Sequence, residues 1–426
     1  MLKSKTMEGK RINANYLIET AFPLEKAAET MAGEQSCGTF VPTPGETQEL
    51  KENHSARVEN ITELNYEGEP SLPGARMPKG YHGKVKRGVV SLSWPLENVG
   101  LHLPNLMATL AGNLFELGAF SGLKLLNFDL PEDFSQKYPG PKFGIEGTRK
   151  FTGVENRPII GTIIKPSVGL SPEATAQQTK TLIEAGLDFL KDDELMGDAP
   201  HSPFEKRVDA VMEVINDHAE KTGKKSMYAF NISGDIDEMK KRHDYVLEKG
   251  GTCVMTSINW VGISGLLKLN EFTQLPIHGH RNGWGIYARS PVLGMEFPAY
   301  QKFWRLAGVD HLHTNGIRNK FCETDTSVIQ SIQACLSGFI GTKSPMPVLS
   351  SGQWAGQTVD TYNAIKSTDV MYVCGGGIVA HPDGIAAGVK SIIQGWEAAI
   401  KGIDLETYSE DHAELKKALK FYGNLS

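Results

Sequence analysis

From about residue 155 onward, short apolar runs alternate with longer amphipathic stretches, and this constrains the fold more than any other feature. The runs are 158–164 (PIIGTII), 187–190 (LDFL), 226–231 (SMYAFN), 252–256 (TCVMT), 276–280 (PIHGH), 309–313 (VDHLH), 347–351 (PVLSS) and 369–374 (DVMYVC). Amphipathic stretches between them read as helices. The first covers 172–185, with Ser171 as N-cap, Pro172 at the first helical position and Gly186 after its end. Eight strand–helix units in about 270 residues predict a (β/α)₈ barrel, an α/β fold. A doubly wound open sheet is the competing architecture, but no GxGxxG follows the first run.

The first 135 residues follow a different pattern. Residues 36–42 (SCGTFVP) and 86–94 (VKRGVVSLS) read as strands, 24–33 as a short helix ending near Gly33, and 103–116 as helical with Gly112 and Asn113 late in the run. This predicts an N-terminal α+β domain over 1–135 ahead of a barrel over 136–426. Residues 131–147, with three prolines and three glycines, read as a linker.

A formal charge of −6 argues against a general nucleic-acid binder. No run approaches the roughly 18 apolar residues of a membrane span, and no apolar stretch follows the basic start. The five cysteines are scattered without CxxC spacing. Reduced thiols in cytoplasm are expected, with no nucleic-acid and no membrane partner.

In a barrel of this kind function collects where the strands end. Here these ends are polar almost everywhere: Lys165, then Lys191 to Glu194, Asn231, Ser257, His278 with His280 and Arg281, His311 with His313, Ser350 to Gly352, and Gly375 to Gly377. Asp192, Asp193 and Glu194 side by side repel one another and call for a cation. All-oxygen ligands suit Mg²⁺. An ammonium cannot ligate a metal, but carbamylation by CO₂ would make Lys191 an anionic oxygen ligand. A surface charge cluster at a helix start is the structural alternative. The histidine pairs, each sharing a face, leave three roles open: zinc ligation, phosphate binding with proton transfer, or hydrogen-bonded interior histidines. Gly375 to Gly377 fit a phosphate nest or a tight turn. Arg281, His313 and Ser350 could form a second anion site. Lys165 is a candidate acid/base, a Schiff-base lysine or a structural strand-end lysine.

At these positions the sequence resembles the RuBisCO superfamily, large-subunit type, over nearly its whole length. GLDFLKDDE (186–194) resembles the activation motif, which implies a carbamate on Lys191 and Mg²⁺ held with Asp193 and Glu194. GTIIKPSVGLS (161–171) resembles the motif of the proton-transferring lysine, here Lys165. HGHR (278–281) and DHLH (310–313) match the fifth- and sixth-strand residues, which makes His280 a catalytic candidate. GEQSCGTF (33–40) resembles the N-terminal active-site segment with Glu34, Thr39 and Phe40, and GN (112–113) the segment carrying an asparagine, Asn113. The resemblance implies one phosphate set of Thr39, Lys320, Gly352, Gly375 and Gly376, and a second of Arg281, His313 and Ser350. It also implies a homodimer in which Glu34 and Asn113 come from the partner subunit.

The departures are specific. The carboxylases carry lysine where Ser167 stands. Their sixth-strand loop reads like HSGTVVGK, and here it is HTNGIRNKF (313–321), with Lys320 at the same distance but the glycine pattern lost. Phe40 replaces tryptophan, and Ser351 replaces glycine. The resemblance is therefore to a RuBisCO-like protein, not a CO₂-fixing enzyme.

Such sites stabilise an enediolate on Mg²⁺. With both anion-binding sets retained and polar strand ends throughout, the expected substrate is a small phosphorylated sugar derivative. The expected reaction is decarboxylation or C–C cleavage of a 3-oxo sugar acid phosphate of the 3-oxo-isoapionate 4-phosphate type. The alternatives are the diketo-methylthiopentyl phosphate enolase or methylthioribulose phosphate isomerase of methionine salvage, and, in another class, a non-catalytic binding protein.

Overall fold

The computed structural model describes residues 9–38, 43–81 and 83–424. Thirteen strands run in chain order among them: β1 (Arg11–Thr20), β2 (Arg57–Gly68), β3 (Val85–Pro95), β4 (Gly122–Asp129), β5 (Ile159–Ile163), β6 (Phe189–Lys191), β7 (Met227–Asn231), β8 (Cys253–Ser257), β9 (Ile277–His280), β10 (Leu293–Met295), β11 (His311–His313), β12 (Met346–Leu349) and β13 (Met371–Val373). They divide between two compact units, 1–139 with 283–306, and 140–282 with 307–426.

The first unit is a mixed sheet of order β10-β4-β1-β3-β2. Along β1, Ile12, Ala14, Tyr16 and Ile18 are wholly buried, the period-two pattern of a strand with one face on a core. The helix Leu24–Glu34 buries Ala27, Ala28 and Met31 on one face. Residues 36–38, expected to begin a strand, form a turn in which the Ser36 and Gly38 amides donate to the Gly33 carbonyl; residues 39–42 of that expectation lie outside the described residues. The helical run at 103–116 is cut in two, Leu103–Ala111 and a 3₁₀ turn Asn113–Glu116. Gly112 is the break, because a Cβ there would fall 2.3 Å from the Ala108 carbonyl oxygen. The segment 283–306, expected inside the barrel, lies with this unit instead, since β10 pairs in parallel with β4.

The second unit is a closed parallel barrel in which β5, β6, β7, β8, β9, β11, β12 and β13 follow in sequence and β13 returns to β5. These are the eight predicted runs, each shifted by at most a few residues. The interior is filled by Ile159, Phe189, Met227, Ala229, Cys253, Met255, Met346, Val348, Met371 and Val373. Several are thioether or thiol side chains, which adapt to irregular space. Helix Pro172–Glu184 is capped as predicted: the Ser171 hydroxyl accepts from the Ala174 amide. The stretch read as a linker contains the start of helix Gly144–Thr152, whose Ile145 and Phe151 pack against the barrel core. No helix among the described residues is long and apolar enough to cross a membrane.

Candidate active site

The barrel divides the run Lys191 to Glu194 by function. Lys191 ends β6 and is wholly buried. Its Nζ donates to the Asp192 carbonyl at 2.9 Å and lies 3.7 Å from Met255 Sδ and 3.7 Å from Glu194 Oε2. Burial pushes the amine's pKa down, and the neighbouring Glu194 and Asp193 act against that shift. Asp192 turns the other way. It accepts from Tyr228 Oη at 2.7 Å, the Asn231 amide at 2.9 Å and the guanidinium of the buried Arg207 at 3.2 Å. Three hydrogen bonds hold the carboxylate inside the wall, so it braces β6 against β7.

Asp193 and Glu194 remain for the site. Asp193 Oδ2 lies 2.6 Å from Lys165 Nζ, and its Oδ1 accepts from the Leu195 amide. Lys165 follows β5, is half exposed, and also donates to Ser167 Oγ at 2.8 Å. Glu194 Oε2 lies 3.4 Å from His280 Nε2. Lys165, Lys191, Asp193, Glu194 and His280 thus form one cluster, with two carboxylates facing two amines and an imidazole. His280 is held below its ordinary pKa by burial and by the charge of Lys191.

The other histidines form a chain. His278 Nε2 is 2.8 Å from His313 Nε2, His278 Nδ1 is 3.3 Å from His311 Nδ1, and His311 Nε2 is 2.8 Å from Thr148 Oγ1. At the outer end His313 Nδ1 lies 3.3 Å from Ser350 Oγ. Burial holds all three imidazoles below their ordinary pKa, His311 at about 3. Their nitrogens face one another rather than a common point. Among the described residues no three His, Cys, Asp or Glu side chains are grouped to hold a metal, so zinc ligation by these pairs has no geometric support.

Arg281 is buried and pairs with Glu323 Oε2 at 2.8 Å. Asn315 donates to the same oxygen, and Ser351 donates to Asn315. The loop after β11 lies on the end of β12, with the Gly316 amide on the Ser350 carbonyl and the Lys320 amide on the Ser351 carbonyl. Lys320 itself is exposed. Gly352 has φ of +90°, and a Cβ there would lie in ordinary contact with Lys320, 3.8 Å from its amide nitrogen. The three glycines after β13 differ. A Cβ on Gly375 or Gly376 would meet nothing within 4 Å, whereas on Gly377 it would fall 2.3 Å from the Gln353 carbonyl oxygen. Gly377 is required by packing; the first two leave bare amides beside open space. In the first unit, Glu34 ends a helix and Asn113 opens a 3₁₀ turn, both exposed. Thr39 and Phe40 lie outside the described residues.

Sequence reasoning did not single out Thr148, Arg207, Tyr228, Met255 or Glu323. Asp192 was indistinguishable from its neighbours by spacing. Strand alternation was the one available signal, since it turns 192 to the face opposite 191 and 193.

Two family models match the chain: the ribulose bisphosphate carboxylase large chain catalytic domain over residues 144–422, and its N-terminal domain over 5–134. The chain is 51% identical over 414 residues to a 3-oxo-isoapionate-4-phosphate transcarboxylase/hydrolase of Xanthobacter autotrophicus, covering 97% of this chain and 99% of that one. It is 46% identical over 416 residues to a 3-oxo-isoapionate-4-phosphate decarboxylase of Rhizobium rhizogenes, with 97% and 99% covered. A crystal structure of a rubisco-like protein from Burkholderia fungorum matches with a TM-score of 0.91 at 44% identity, covering 97% of this chain and all of that one.

Proposed function

The chain belongs to the ribulose bisphosphate carboxylase large chain family, and on that premise we propose that it is a RuBisCO-like enzyme that cleaves the bond between the carboxylate and the neighbouring carbon of 3-oxo-isoapionate 4-phosphate. The observation that carries this is the pair of relatives, at 51% and 46% identity over 97% of the chain, whose names share that substrate.

A 3-oxo acid that loses CO₂ leaves its bonding electrons as an enediolate, so both named activities can begin with one step. Protonation of the enediolate carbon completes a decarboxylation. Return of the carboxyl group to another carbon, followed by hydrolysis, yields two acid fragments. The higher identity to the transcarboxylase/hydrolase favours the second outcome.

The residues present fit Mg²⁺. Asp193 and Glu194 already face cationic groups, both offer hard oxygens, and the ion binds through few protein carboxylates. A third anionic oxygen would come from Lys191, whose depressed pKa favours the neutral amine that adds CO₂, forming an N–C bond and releasing a proton. Bound there, Mg²⁺ would neutralise the substrate oxygen on which charge develops.

Other roles belong to the chain's own groups. Lys165 holds a proton at Nζ beside Asp193 and delivers it to the enediolate carbon. His280, kept neutral by burial, can accept a proton from a substrate hydroxyl. Lys320 supplies positive charge from the loop to the departing carboxylate. The phosphate takes the bare amides of Gly375 and Gly376, with Gly352, Lys320 and Thr39. Arg281, His313 and Ser350 take the other end of the substrate. The active unit is a homodimer in which Glu34 and Asn113 are contributed by the partner subunit. Scattered cysteines without CxxC spacing accord with a cytoplasmic place.

The test is turnover of ¹³C-carboxyl-labelled 3-oxo-isoapionate 4-phosphate with Mg²⁺ and bicarbonate, followed by NMR. Label in CO₂ or in an acid fragment supports the reading. Unchanged substrate under conditions where another phosphorylated ketone turns over defeats it.

A further inference from the structure

Beneath the proposed site, a hydrogen-bonded line runs through the barrel: Ser350, His313, His278, His311, Thr148. The partners at its inner end settle where each proton sits. The Thr148 hydroxyl lies 2.6 Å from the Gly144 carbonyl oxygen, which can only accept. With its single proton there, Thr148 receives a hydrogen bond at 2.8 Å from His311 Nε2, which must carry a proton. A neutral imidazole has one, so His311 Nδ1 is bare. Among the described residues the other polar atom beside it is Cys253 Sγ at 3.9 Å, which has a carbonyl acceptor in Pro276 at 3.3 Å, and an S–H turned to His311 would still find an acceptor. His278 Nδ1, 3.3 Å away, must therefore donate, which leaves His278 Nε2 bare. Across 2.8 Å, His313 Nε2 must then donate to it. The outermost nitrogen, His313 Nδ1, is left with a lone pair directed at Ser350 Oγ.

Charge favours the same polarity. The positive charge of Arg281 acts on His313, and a lone pair there is stabilised where an N–H would be repelled. The geometry leaves little freedom to reverse. Phe189 stacks on His278 with ring centroids 5.1 Å apart, and all three rings are buried, so a ring flip would displace the core.

We propose that Thr148 is a positioning residue which, through His311 and His278, fixes the tautomer of His313 so that its Nδ1 meets the substrate as a bare acceptor. Resting on the function above, this refines the role of His313. A lone pair repels an anionic oxygen and accepts from a hydroxyl, so His313 recognises a hydroxyl of the sugar-derived substrate, directly or through Ser350. Arg281 is left to meet the negative charge at that end.

The experiment is long-range ¹H–¹⁵N correlation on the full-length protein labelled with ¹⁵N-histidine, with Mg²⁺ and bicarbonate and without substrate. The expected pattern is a proton on Nε2 of His311, Nδ1 of His278 and Nε2 of His313. Thr148→Val removes the inner acceptor, and it should move the His313 signals towards the other tautomer and lower kcat about tenfold. Thr148→Ser should restore both. A proton on His313 Nδ1 in the unsubstituted protein, or His313 signals unmoved in a folded Thr148→Val, overturns the proposal. The tautomers are read without turnover, so failure here is distinguishable from failure of the assigned reaction.

Discussion

Replacing Lys191 with methionine separates chemistry from stability at one side chain. The amine is 1% exposed and its ion pair with Glu194 is 3.7 Å long, so folding carries a desolvation cost that a loose contact offsets only in part. Methionine has similar length, and Met255 already offers a thioether neighbour at 3.7 Å. Only the amine is exchanged, and Glu194 is 31% exposed, so the carboxylate keeps water as a partner and the cost of about 3–5 kcal/mol for orphaning a buried charge does not apply in full. The relieved desolvation and the lost contact act in opposite senses, so Tm should stay within about 2–4 °C, the shift that 1 kcal/mol produces in a domain of this size. Glu194 keeps a partner in His280, 3.4 Å away. Activity, by contrast, should fall. Losing the carbamate removes one of three proposed metal oxygens, and a loss of at least ~10³-fold in kcat, about 4 kcal/mol, is expected. The assays are differential scanning calorimetry beside substrate turnover at saturating Mg²⁺ and bicarbonate. Turnover within tenfold of the unsubstituted enzyme would refute the carbamate reading, and a Tm lowered by several degrees would refute the account of the buried amine.

Other perturbations follow from the same geometry. Asp192→Ala leaves the Arg207 guanidinium buried without its carboxylate; destabilisation of about 3–5 kcal/mol is expected by urea unfolding, and a change under 1 kcal/mol would contradict the bracing role. Gly377→Ala should destabilise the turn after β13, because its Cβ meets a carbonyl oxygen at 2.3 Å, whereas Gly376→Ala should leave Tm unchanged and raise KM; equal effects on Tm would contradict the division of the glycines. His278, His280, His311 and His313 are held neutral by burial in the fold, with pKa values below the unfolded 6.5, so below that pH the unfolded chain binds more protons. Stability is therefore full above about pH 6.5 and declines as pH falls, by about 1.4 kcal/mol per histidine at pH 5.5. Denaturant midpoints that agree at pH 7.5 and 5.5 would contradict this.

The barrel was legible because its strands are short, apolar and separated by capped helices, so position and type emerge together, as at Ser171 and Gly186. The first unit was less so. The buried alternation of β1 is written plainly in RINANYLIET and was passed over. β2 exposes most of its residues and carries no apolar period to find. The turn at 36–38 read as strand because residue type was weighed without the backbone bonds to Gly33 that close it. In the site, the cluster around Lys191 could be placed from strand ends alone. The histidine chain could not, because Thr148 lies on a helix 163 residues from His311, and nothing local announces the contact. The pairing of Arg281 with Glu323 was hidden for the same reason: it depends on the path of a loop.

The most direct test of the central claim is a side-by-side measurement of kcat/KM for 3-oxo-isoapionate 4-phosphate and the diketo-methylthiopentyl phosphate, with Mg²⁺ and bicarbonate. The account predicts turnover of the sugar acid, with release of CO₂ or acid fragments, at least ~100-fold above the methylthio compound, a gap of about 2.7 kcal/mol. Turnover confined to the methylthio compound would contradict it and place the enzyme in sulfur salvage.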